Sequence, residues 1–90
     1  MAKVDLNKQL AMFINERNSA LVSLNEKRIK KLFRKWGVPY PEDRKVFWAS
    51  VHMSIIEIYK CGGRYVKKEH YERSKEWLVQ NGLSHMADGK

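Results

Sequence analysis

Apolar residues recur at intervals of three and four through most of this chain, the spacing that lines one face of an α-helix at about 100° per residue. Leu6, Leu10, Phe13, Ile14 and Leu21 form the first such stripe, and it opens just after Asp5, a favourable helix cap. Ile29, Leu32, Phe33 and Trp36 form a second stripe, rotated by roughly 110° from the first. One straight helix would aim the two stripes at different partners, so the pattern predicts a break between Asn18 and Leu24. Ser23-Leu24-Asn25-Glu26 reads as a capping box, with Ser23 accepting from the Glu26 amide while Glu26 reaches back. Helices are therefore predicted over residues 6–18 and 24–36. Gly37 closes the second in a left-handed conformation, and Pro39 forbids its continuation.

A third helix is predicted over residues 41–60. Pro41 suits its first turn, Glu42 and Asp43 complement its positive end, and Gly62-Gly63 stops it. Phe47, Trp48, Val51, Ile55, Ile58 and Tyr59 share one face, while Val46, Ala49, Met53 and Ile56 make a second apolar strip. A helix apolar nearly all round is a central one, or one that lends its second strip to an interface. Val46, Met53 and Ile56 are the candidate interface residues. Arg64-Tyr65-Val66 connects to a fourth helix over residues 67–81, whose inward face carries His70, Tyr71, Ser74, Trp77 and Leu78. The expected fold is all-α: a small bundle of about four helices packed around the third. Residues 1–82 should make the single domain and residues 83–90 a flexible tail.

Ninety residues leave room for one core. Hydrophobic residues make up 43% of the chain, enough for a globular protein rather than a disordered one. No apolar run approaches a membrane span, and the stretch after Met1 is polar and amphipathic rather than a signal-peptide core. Cys61 is the single cysteine and cannot form an internal disulfide, so a reducing, cytoplasmic setting is expected.

Charge changes the picture most. The net charge is +8, and six of the ten residues from Lys27 to Trp36 are Lys or Arg, with no acid among them. Lys27, Arg28, Lys30, Lys31, Arg34 and Lys35 fall within roughly 160° of a helix, opposite the apolar stripe. Ordinary surface helices mix signs, because like charges at i, i+4 destabilise them. This face is expected to hold polyanion phosphates. A second cluster, Arg64, Lys67 and Lys68 near the Gly-Gly stop, is expected to assist, with Tyr65 and Tyr71 interleaved as rings that could stack on unpaired bases. Tyr71 faces the expected core, though, and Glu69, Glu72 and Glu76 dilute the charge. The alternative is a solvated face, or the dock for an acidic protein. Gly62-Gly63 lacks the spacing and the Lys-Ser/Thr ending of a phosphate loop. Glu42 and Asp43 at the start of the third helix argue against a sequence-reading helix-turn-helix.

For catalysis the chain offers Cys61, His52, His70 and His85 without a flanking signature, and their spacing suits no metal. His52, set among Trp48, Ile55, Ile56 and Tyr59, reads as a packed histidine with one hydrogen bond. No enzyme activity, cofactor or metal is expected.

Trp36-Gly37-Val38-Pro39-Tyr40-Pro41, followed by Val46-Phe47-Trp48-Ala49-Ser50-Val51-His52, resembles small uncharacterised bacteriophage and mobile-element proteins. The resemblance spans about a third of the chain and carries no functional residue with it. It implies an accessory factor of a bacterial cytoplasm, handling DNA or redirecting the host. The expected partners are DNA or RNA through backbone contacts, or an acidic protein, with a homodimer as a further expectation and no membrane.

Overall fold

Left-handed backbone marks most of the turns. In the computed structural model, which describes residues 6–83, the helices are α1 (Leu6–Ser23), α2 (Glu26–Trp36), α3 (Arg44–Lys60) and α4 (Lys68–Gln80). The small all-α bundle predicted from the apolar pattern is the observed fold, and no strand occurs among the described residues.

The break between the first two helices is two residues, Leu24 at φ +52° and the cap Asn25. α1 does not stop near Asn18 but runs on to Ser23, because Asn18, Ala20 and Leu21 are buried and need helical register to reach the core. The predicted capping box is also displaced. Ser23 closes α1 by donating from Oγ to Ala20 O at 2.5 Å. Asn25 caps α2, its Oδ1 accepting from Arg28 N at 3.1 Å. At the far end of α2, Gly37 takes φ +68°, and the amides of Gly37 and Val38 donate to the carbonyls of Arg34 and Phe33. These are the two bonds of a left-handed helix stop.

Pro41 and Glu42 stay outside α3. The helix starts at Arg44 because Asp43 accepts from Val46 N at 2.9 Å, a better cap than proline supplies. Tyr40 instead packs its ring on Phe33 and Phe47. α2 returns antiparallel along α1: Arg28 reaches Ser19, and Trp36 reaches both Glu16 and Phe13. α4 returns antiparallel along α3, with Tyr71 on Tyr59 and Ser74 on His52.

The core has two parts, both centred on α3. Phe47, Val51, Ile55 and Ile58 meet Ala20, Leu21, Ile29, Leu32 and Val66 in the larger. Ala49 and Ile56 meet Leu78 in the smaller, flanked by Met53, Tyr71, Trp77 and Leu83. Two expectations are corrected here. Ile56 is covered by α4 and offers no interface surface. Leu83 belongs to the bundle rather than to a tail, its amide bonding Leu78 O at 2.7 Å. The rest of the expected tail, and Asp5, lie outside the described residues.

Candidate nucleic-acid interface and apolar groove

The amphipathic split of α2 is real: Ile29 and Leu32 are buried, and Lys27, Arg28, Lys31, Arg34 and Lys35 are exposed. The six basic residues are not equivalent, however. Lys30 is drawn inward. Its ammonium is 2.8 Å from Glu26 Oε2 and 5.1 Å from the centroid of the Phe47 ring, so it packs over the core edge rather than facing solvent. Glu26 also lies 3.2 Å from Arg44 Nε, which ties the start of α2 to the start of α3. The hydrogen bond from Lys30 holds the Glu26 carboxyl below its ordinary value, with Arg44 adding to the effect. Lys35 is 3.5 Å from Glu16 of α1, an exposed pair that salt will screen.

The other four keep their charge unneutralised. Arg28 donates to Ser19 Oγ at 2.9 Å and Arg34 to Tyr40 Oη at 3.3 Å, both uncharged acceptors that orient a guanidinium without cancelling it. Among the described residues, no carboxylate pairs with Lys27, Arg28, Lys31 or Arg34. Lys27, Lys31 and Arg34 stand at i, i+4 and i+7, spanning about 10 Å of helix at 1.5 Å per residue.

The second cluster sits elsewhere. Arg64, Lys67 and Lys68 are exposed in and after the turn that follows α3, and Lys68 lies 3.9 Å from Glu72. Asn18 of α1, 1% exposed, fixes this turn by donating from Nδ2 to Arg64 O at 3.2 Å. Asn18 thus touches the second cluster while Ser19, the next residue, touches the first. Tyr71 is not available for bases, since its ring stacks on Tyr59 at 4.7 Å. Tyr65 is half exposed and held at φ +72° between Arg64 and Val66.

His52 is 2% exposed, bonded through Nδ1 to Ser74 Oγ at 2.9 Å and stacked on Trp77 at 4.6 Å. Burial, reinforced by the charge of Arg73, lowers its pKa to about 4. His70 is a capping residue, its Nδ1 accepting from Lys67 N at 3.0 Å. Cys61 is a free, exposed thiol at the end of α3.

On the other side of α3 lies a groove of about 750 Å³. Val46, Ala49, Met53 and Glu57 line its length along α3, Ile14 and Arg17 of α1 bound it, and Leu83 contributes to its wall. Two of the three expected interface residues, Val46 and Met53, are in it. The α1 contribution was hidden from the sequence because Ile14 reads as an ordinary member of a core stripe. No protein-family model, curated protein or solved structure matches the chain.

Proposed function

We propose that the chain is a non-enzymatic module that binds nucleic acid through backbone phosphates, using the outward face of α2. The observation that carries this reading is the set of Lys27, Arg28, Lys31 and Arg34, four exposed cations within about two turns of one helix that no carboxylate of the described residues neutralises. Repulsion between Lys27 and Lys31 at i, i+4 disfavours the isolated helix by a few tenths of a kcal/mol, and a bound polyanion would reverse the sign of that interaction. The span of about 10 Å from Lys27 to Arg34 equals about three axial steps of one DNA strand at about 3.4 Å each, long enough for the face to reach more than one phosphate. Lys30 and Lys35 act at the margin, since Glu26 and Glu16 already hold them. Arg64, Lys67 and Lys68, in and after the turn that Asn18 of α1 fixes, form an auxiliary site. Contacts of this kind position a protein on the backbone and carry no base preference. An accessory DNA-handling factor, as the resemblance to bacteriophage and mobile-element proteins implies, is the biological role that fits.

The test is a binding titration of the wild-type protein against duplex DNA and structured RNA of unrelated sequences at two salt concentrations. Three to four phosphate contacts predict a slope of log K against log salt near about −3 on duplex DNA. No binding at low salt would refute the proposal.

A further inference from the structure

Among the described residues six large apolar side chains are exposed; Tyr65 and Val79 stand apart, and the other four gather on two elements. Leu6, Leu10 and Met12, exposed to 73, 57 and 49%, lie on the first two turns of α1, and Val46, exposed to 52%, lies in the groove along α3. Every residue from Leu6 to Met12 is exposed, because α1 passes the end of α3 at Asn18 and its earlier turns extend beyond the bundle. A helical segment of two turns is marginal in water without a packing partner. Leu6, Leu10 and Ile14 stand at i, i+4 and i+8, so the uncovered stripe continues directly into Ile14, which lines the groove. Among the described residues, one chain therefore carries both an uncovered apolar stretch of helix and an apolar groove that adjoins it.

We infer that the occupant of the groove is the N-terminal part of α1 from a second copy, exchanged reciprocally about a two-fold axis. The arrangement is isologous: each copy presents the same helix and the same groove, and both are used. The area is sufficient. With a fully exposed residue of this size taken as roughly 200 Å², Leu6, Leu10, Met12 and Val46 leave on the order of 450 Å² open, over half of the about 800 Å² each partner brings to a standard interface. Ile14, Met53 and Leu83, half-buried in the single copy, add to it. Two copies of charge +8 repel one another, so added salt strengthens this association while it weakens phosphate binding. The two proposals are thereby separable, and failure of one leaves the other standing.

The experiment is sedimentation of the full-length protein at micromolar concentrations and two salt levels. The wild type is expected to be a dimer that tightens at higher salt. Leu10→Glu, on an exposed position, and Val46→Glu, in the groove, should each weaken self-association at least tenfold while circular dichroism shows unchanged helicity and melting. Mixing the two variants should recover part of the association, because the mixed pair keeps one of the two seats intact whereas each variant alone keeps none. A wild type that stays monomeric at about 100 µM, or two variants that stay dimeric, would overturn the inference. A mixture that recovers none of the association would overturn the seating of α1 in the groove.

Discussion

His52, Ser74 and Asn18 are the buried polar side chains among the described residues, the first two bonded to each other and Asn18 to Arg64 O. His52 is neutral in the folded protein at pH 7, because burial among Trp77, Trp48 and Ser74, with Arg73 nearby, lowers its pKa to about 4. A histidine lowered in this way binds protons more readily when unfolded. Stability is therefore full above the unfolded value near 6.5, falls as pH drops from about 6.5 to about 4, and changes no further from this group below that. The loss should be on the order of 3 kcal/mol, read as a falling denaturant midpoint across that window, and His52→Asn should flatten the slope. Glu26 acts in a lower window. Its lowered pKa contributes stability above the ordinary carboxylate value that is lost on acidification, so Glu26→Gln should reduce the remaining acid sensitivity without touching the histidine step. At Gly63 a side-chain Cβ would collide with Ile58 Cγ2, and at Asn18 the loss of the amide would orphan Arg64 O. Gly63 in the turn and Asn18 on α1 together hold the second basic cluster in place.

At the scale of the helix, apolar periodicity located all four elements and the correct face of α3. Phe47, Val51 and Ile55 are 1, 2 and 0% exposed, so truncation of any one to Ala should cost about 2–5 kcal/mol in chemical denaturation, cavity included. What periodicity could not settle was the chemistry of the ends. Ser23, Asn25 and Asp43 are all competent caps, and which one is used depends on where the core lets the helix stop. Asn25→Ala should accordingly cost about 1 kcal/mol, and Ser23→Ala less, in the same assay. The 110° offset between stripes was a true signal of a break, but its position depended on Leu24 entering left-handed space, which no local residue preference announces. The basic face of α2 was legible as a face. That Lys30 turns inward was not, because it depends on Glu26 at i−4 and on Phe47 arriving from another helix. The groove was half legible: Val46 and Met53 announce it, whereas its α1 wall arises only from the crossing of α1 past α3.

For the molecule as a whole, charge and apolar exposure occupy different places. Exposed cations, proposed to bind phosphate, lie along α2 and beside the turn after α3, while the open apolar surface lies along α3 and the projecting start of α1. Two copies joined through that surface would bring two α2 helices to one polyanion, and the effective concentration of the second would raise avidity without a new contact. Among the described residues no helix is long and apolar enough to cross a membrane, and no group of His, Cys, Asp and Glu is arranged to hold a metal. The measurement that decides the central claim is the salt dependence of duplex binding by Lys27→Glu/Lys31→Glu beside the wild type. These residues are chosen over Lys30 because neither has an ion pair to lose, so folding should be unchanged. Loss of two phosphate contacts should flatten the slope of log K against log salt by about 1.8 and weaken binding on every sequence tried. An unchanged slope with full affinity would place the phosphates somewhere other than on α2.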